Sequence, residues 1–428
     1  MDKNEVVDYC LDALKKRGVD KSTCCLTVSQ KKELNVENDA MALLRTTFNT
    51  SLGISAIKNH KKASTSINKT DKNSIDEAVD TVIELTKGSK PDDAYDISDK
   101  QPKRLFSKGC DSADLDIMYR SLDEFVDYVK STYPQIKLEA AIVDFNHTNS
   151  IYKNTNGVDF QISDGIYSFS PVFLSKEGDK TTSFNYTGFS TLKIEKPLYK
   201  YAMVDSLLRE SVEQLNTRSL DEKFVGKLIV TPDCIETFLG FIINDISDGK
   251  MITGNSIYKD KLNELITNPK LTLHSKPVSD EIEDGYFLTD DGYMAENSTI
   301  LDKGILKTHL LGIYGANKLG KKRAVNDGGA YVIGSGSKSY SDLIKDTEKG
   351  ILLSRFSGGN PSNNGDFSGV AKNSYFIENG KIKYPITETM VSGNIKDMFE
   401  NLDDISNERV NYGHGILPWI SFKGITIS

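Results

Sequence analysis

Five histidines and five cysteines are the residues of this 428-residue chain best suited to metal or nucleophilic chemistry. His60, His147, His274, His309 and His414 are scattered. No two lie within five positions, so neither HExxH nor HxH occurs. His147 in "DFNHTN" and His414 in "NYGHG" read as loop or turn residues, and His309 in "ILKTHLLGIY" as structural. Cys10, Cys24, Cys25, Cys110 and Cys234 form no CxxC pair and are odd in number. That fits a reducing compartment better than a disulfide framework. Cys234 heads an apolar helix, and a helix N-terminus can lower a thiol pKa. With no histidine near it in sequence, a small, partly buried cap-region residue is the favoured reading. The serines of "GSGS" (334–337) and "FSGG" (356–359) lack the GxSxG elbow of a hydrolase nucleophile.

The most unusual stretch is "RFSGGNPSNNGDFSGVAKNSYFIENGKIKYPITETMVSGN", from Arg355 to Asn394. A phosphate loop of the GxxxxGK[ST] type needs a lysine, which "GGNPSNNGDFSG" lacks. Asp366 is the only acid in that loop, and one carboxylate among Gly and Asn serves a turn more often than it serves as a base. The sequence after it reads as a hairpin turning at Asn379-Gly380. Gly358, Gly359, Asn360, Gly365, Asp366, Phe367, Ser368 and Gly369 form a candidate loop or groove, where missing Cβ atoms let another backbone approach. Gly365 and Gly369 are expected at positive φ.

The elements around these residues follow from periodicity. Residues 3–17 read as an amphipathic helix with Val6, Val7, Cys10, Leu11 and Leu14 on one face. Ser74 with Glu77, and Ser121 with Glu124, read as capping boxes opening two further helices. Strands are expected around 138–145, 149–153, 158–163, 166–174 and 181–190, and a helix over about 200–217. After the strand "KFVGKLIVTP", a helix carries Ile235, Phe238, Leu239, Ile242, Ile243 and Ile246 as a core-facing stripe, and either Thr231 with Pro232 or Asp233 with Glu236 can cap its start. The pattern predicts an α+β fold: N-terminal α/β units with a mixed or antiparallel sheet, then a β-rich C-terminal domain. The expected divisions are 1–110, 111–220 and 221–428.

Composition limits function. Hydrophobic residues make up 38% and the net charge is −8, an ordinary soluble composition whose acidity disfavours nucleic acid and anionic membranes. No run approaches a transmembrane length, and "MDKNEVVDYC" lacks the basic and apolar regions of a signal peptide, so a cytoplasmic setting is expected.

"GGNPSNNGDFSGVAKNSYFIENGKIKYPITETMVSGNIKDMF" resembles the C-terminal signature of the TldD/PmbA family, and "SIYKDKLNELITNPKLTLHSKP" and "GILKTHLLGIYGANKLGKK" match in place. The resemblance covers essentially the whole chain. It implies a zinc-metallopeptidase system of two related subunits. TldD-type chains carry HExxxH and a C-terminal cysteine; the histidines and cysteine bind zinc and the glutamate is general base. PmbA (TldE)-type chains lack them. Here the HExxxH positions fall on Gly240, Phe241 and Asp245, and no cysteine follows Cys234. The resemblance therefore implies a PmbA-type subunit with no catalytic residue and no zinc of its own. The zinc would sit in a TldD-type partner, and unfolded peptide would be the substrate. A homodimer is a further arrangement. The family label "modulator of DNA gyrase" finds no basic patch or nucleic-acid motif here. Two other readings remain: a stand-alone peptide- or ligand-binding protein, and a hydrolase using groups such as Asp366 and Glu378.

Overall fold

Asp2 starts the first helix. Its carboxylate accepts from Glu5 N at 2.8 Å while Glu5 Oε2 accepts from Asp2 N at 2.7 Å, a capping box on α1 (Lys3–Lys16). The computed structural model describes residues 1–428. Next come β1 (Lys21–Glu37), β2 (Ala40–Lys58), β3 (Lys61–Ile67), α2 (Lys72–Gly88), β4 (Arg104–Lys108) and α3 (Leu115–Thr132). They are followed by β5 (Ile136–Asn154), β6 (Asp159–Glu177), β7 (Asn185–Tyr186), β8 (Phe189–Thr191) and α4 (Val204–Glu213).

The long strands form one sheet in the order β3-β2-β1-β5-β6-β4, with β7 and β8 also paired to β6. β1 pairs with β5 from Thr23↔Asn154 to Glu37↔Ala140, so segments 1–110 and 111–220 share a continuous sheet. Helices cover its two ends. α1 and α2 bring Val7, Leu14, Ile75 and Val79 onto Cys24, Leu26, Leu52 and Ile54. α3 and α4 bring Leu122, Phe125, Leu207 and Leu208 onto Leu34, Val36, Phe145 and Phe169. β1 thus supplies alternate residues to two cores, and a one-residue slip would turn both sets toward solvent.

Several sequence expectations need correction. The cap of α2 is Asp71, which accepts from Ser74 N at 3.0 Å, and the cap of α3 is Asp114, which accepts from Ile117 N at 2.9 Å. Ser74 and Ser121 lie inside their helices, because upstream aspartates compete better for the free first-turn N–H groups. The expected short strands are mainly two strands of 19 residues, β5 and β6. His147 accordingly lies mid-strand rather than in a loop, with Nε2 at 3.1 Å from Ser163 Oγ on β6. The 200–217 helix is confined to α4, flanked by 3₁₀ turns at Leu198–Lys200 and Gln214–Asn216.

The C-terminal half begins with β9 (Phe224–Val230) and α5 (Pro232–Asp245). After an intervening segment of short elements come β10 (Lys349–Leu353), β11 (Arg355–Gly358), β12 (Asp366–Lys372), β13 (Tyr375–Glu378) and β14 (Lys381–Pro385). The chain ends with β15 (Thr389–Asn394), α6 (Ile395–Glu400), β16 (Leu402–Asn411) and β17 (Ile416–Ile427). β17 is the hub of this second sheet, pairing antiparallel with β9, β15 and β16. Asn379 (φ 50°) and Gly380 (φ 71°) form the expected turn between β13 and β14. α5 packs Ile235, Phe238, Leu239, Ile242 and Ile246, each 0% exposed, into the main core. At about 1.5–3 kcal/mol per buried side chain, this stripe fixes the helix on the sheet. The opposite face of α5 is left for other use. The α+β expectation agrees with this architecture.

Candidate functional site

Asp233, Glu236, Thr237 and Gly240 follow one another at helical spacing on the face of α5 away from the core. The first three line a cavity of about 380 Å³ between the two sheets. The other walls come from β6, the β7–β8 segment, β11 and the turn between β16 and β17. The sheets are tied together across it. Thr187 Oγ1 donates to Asp233 Oδ1 at 2.7 Å, and Tyr412 OH donates to Oδ2 at 2.7 Å. Burial raises the Asp233 pKa, opposed by the two hydroxyl donors. The only histidine at the cavity is His414, whose Nε2 lies 3.9 Å from Glu236 Oε1.

The opposite wall carries one cation. Arg355 at the start of β11 stacks its guanidinium 4.2 Å from the Tyr186 ring centroid and donates to Phe184 O at 2.5 Å. Asn185, 3% exposed, also lines the cavity, and its Nδ2 has no hydrogen-bond partner. Behind the wall, Glu210 of α4 receives a hydrogen bond from Ser354 Oγ at 3.4 Å, and burial pushes its pKa up to about 8. The arrangement sets two acids against one arginine across a hydroxyl-rich pocket. It suits a ligand with both a cationic end and hydrogen-bonding groups. Cys234, beneath this face, is 3% exposed, and burial pushes its thiol up to about 12. Desolvation overrides the helix N-terminus, so the thiol is a core residue.

The zinc positions implied by the family resemblance lie on the same helix. Gly240 is exposed and offers no donor, and Phe241 packs its ring 6.0 Å from that of Phe238. Asp245 has a side chain only 6% exposed, held by Lys250 Nζ at 3.1 Å. No group of three His, Cys, Asp or Glu residues stands in a metal-binding arrangement. Zinc needs at least three protein donors, and these positions supply one carboxylate already neutralised by a lysine. The residues do not fit a zinc ion.

The Gly-rich stretch forms the β11–β12 hairpin over α5. Phe367 is buried with its ring 5.7 Å from that of Phe238. Gly359, Asn360 and Ser368 are exposed, and Gly358 pairs with Gly369 across the hairpin. Asp366 accepts from Asn364 Nδ2 at 2.8 Å and Asn394 Nδ2 at 2.9 Å, donors that lower its pKa. These contacts make it a turn residue. Gly365 has φ +94°, as expected. Gly369 does not have positive φ. It lies in extended strand, and glycine is required there because a Cβ would meet Phe356 Cζ at 2.4 Å.

The stretch from Arg355 onward therefore reaches the cavity through Arg355 and Phe356, while the expected groove residues from Gly358 to Gly369 are not among its lining. Sequence reasoning missed Asn185, Thr187, Asp233 and Tyr412. The local signal for Asp233 was present, an acid with Glu236 one turn later. Its partners were not legible, being 46 and 179 residues away in sequence.

Known proteins share this architecture. The PmbA/TldA metallopeptidase C-terminal domain matches residues 225–428, and domain 1 of that family matches residues 25–86. Metalloprotease PmbA of Escherichia coli O157:H7 is 24% identical over 402 residues, which is 87% of this chain and 85% of that protein. TldE from Thermococcus kodakarensis superposes with a TM-score of 0.86 at 16% identity, covering 99% of this chain and 100% of that one. A Bacteroides thetaiotaomicron protein solved as a candidate modulator of DNA gyrase gives a TM-score of 0.89 at 22% identity, over 100% of this chain and 99% of that one. With the family's first and last domains matched in order to the two halves of this fold, the chain belongs to the TldD/PmbA family of metallopeptidase-related proteins.

Proposed function

We propose that this chain is the PmbA (TldE)-type subunit of a cytoplasmic two-component peptidase, supporting a TldD-type partner that carries HExxxH and the zinc. The observation behind this reading is the outer face of α5. The family scaffold is present around it, with cavity, hairpin and edge-to-face aromatics in place, while Gly240, Phe241 and Asp245 supply no ligand set. Amide hydrolysis near neutral pH needs an activated water or nucleophile. Cys234 stays protonated, Asp233 is tied to two hydroxyls, and Asp366 serves a turn. The contribution of this subunit is to hold unfolded peptide near the partner's metal and to keep folded proteins out.

Reconstitution tests this. The chain alone, made without a histidine tag, should hold less than stoichiometric zinc and leave a disordered peptide intact. Mixed with an HExxxH-bearing homologue from the same cell, it should co-elute on size exclusion and raise chelator-sensitive cleavage. Chelator-insensitive cleavage by this chain alone would overturn the reading. One observation favours a second reading, a stand-alone peptide- or ligand-binding protein: the acids, hydroxyls and arginine of the cavity form a recognition set that needs no metal. Unchanged cleavage by the homologue, with peptide still bound by this chain, would select that alternative.

A further inference from the structure

We propose that the cavity on α5 captures the free amino terminus of a peptide. The proposal rests on the peptide-binding reading above and assigns the end of the chain that is recognised. Asp233 and Glu236 stand one helical turn apart on the cavity wall, and neither is paired with a lysine or arginine. An α-ammonium brings three donors and one positive charge to this wall, where the one basic side chain within 4 Å of either acid is His414, 3.9 Å from Glu236. Asn185 supplies an independent sign of a missing partner. Its Nδ2 is a buried donor left unsatisfied, a state that costs about 1–3 kcal/mol until an acceptor arrives. The atom is closed off from the cavity as it stands, and a turn of the amide toward the cavity brings it to the first carbonyl of a bound peptide.

The opposite polarity fits less well. A C-terminal carboxylate would have to use Arg355, already bonded to Phe184 O and stacked on Tyr186, and would face two acids. The volume, about 380 Å³, is at the lower end for ligand sites and suits the first few residues of a chain. Glu236 and His414 also border an adjoining groove beside Tyr286 and Tyr331, which gives the rest of the peptide a path out.

The test is calorimetric titration of the full chain alone with tetra-alanine in free, N-acetylated and C-amidated forms. Acetylation should weaken binding at least about tenfold, and amidation should change it less than about twofold, since only the ammonium makes charge-assisted bonds here. Glu236→Gln, a substitution at a partly exposed site, should weaken the free peptide several-fold and leave the acetylated peptide unchanged. Equal binding of free and acetylated peptides would overturn the proposal and leave the peptide cleft standing. Loss on amidation alone would assign the site to a carboxyl terminus and also overturn it. Absence of binding by all three forms would overturn this proposal together with peptide binding by this subunit.

Discussion

Lys250 Nζ lies 3.1 Å from Asp245 Oδ2, closing the C-terminal end of α5 against the short helix Asp248–Thr253. The aspartate side chain is 6% exposed and the lysine 21%. The contact is a structural ion pair. Removing one partner of such a pair strands the other charge. Asp245→Asn should therefore lower unfolding stability by about 2 kcal/mol, less than for a fully buried pair because Lys250 keeps some water. Lys250→Met should cost less in the Asp245→Asn background than in the wild type. Urea denaturation of the two singles and the double would measure this, and simple additivity would refute the coupling.

Glu210 makes stability depend on pH. Its carboxyl is buried, with Ser354, Arg209, Glu213 and Asp233 as its polar and charged surroundings, and burial raises its pKa from 4.5 to about 8. The folded chain thus keeps a proton that the unfolded chain loses. The associated stability is fully present below pH ~4.5 and fades by up to about 1.4 kcal/mol per unit as pH rises toward 8. Glu210→Gln cannot ionise. Its stability relative to wild type should increase steadily between pH 5 and pH 8, as read from urea midpoints. A constant difference across that range would show that Glu210 is already ionised when folded.

Gly365 and Gly369 are needed for different reasons, and a second-site variant separates them. Gly365→Ala places a side chain at φ +94°, a strain of about 1–3 kcal/mol that no neighbouring change relieves. Gly369→Ala instead drives a methyl into Phe356, with Gly358 Cα also only 2.8 Å away. Phe356→Leu should partly rescue the thermal stability of Gly369→Ala and give none to Gly365→Ala. Rescue is incomplete because the Gly358 backbone cannot move aside. Asp366→Asn should be milder than either glycine substitution: its single amide oxygen keeps one of the two contacts, and at this exposed site water can take the other.

Local chemistry was legible in the sequence, and pairing over distance was not. The stripe from Ile235 to Ile246 and the Asn379-Gly380 turn depend on neighbours in the chain, and both formed as expected. The polar run Asn146-His147-Thr148 read as a break between strands. In the fold it continues β5, because its backbone groups pair with β1 on one side and β6 on the other. Pairing of that kind is set by tertiary context, which alternation alone does not report. The site divides the same way. Glu236 one turn after Asp233 is visible in one dimension. Thr187 and Tyr412 become its neighbours only when the two sheets close on each other.

Thiol reactivity gives a last check on the α5 face. Cys234 sits in the first turn of the helix, where a lowered pKa would make a nucleophile, yet burial pushes it up to about 12. At pH 8 such a thiol is ionised to about one part in ten thousand, against roughly a quarter for a free cysteine. Cys110 is exposed, Cys25 is partly buried with its thiol pushed up by burial, and Cys10 and Cys24 are buried with sulfurs 3.2 Å apart. Iodoacetamide at pH 8 should therefore label Cys110 first and Cys25 slowly. Cys10, Cys24 and Cys234 should react only after urea is added, as read site by site in the mass spectrum of a digest. Prompt labelling of Cys234 in the folded chain would mean an accessible thiolate beside Asp233, and the cavity would then have to be read as a nucleophile's site instead of a binding site.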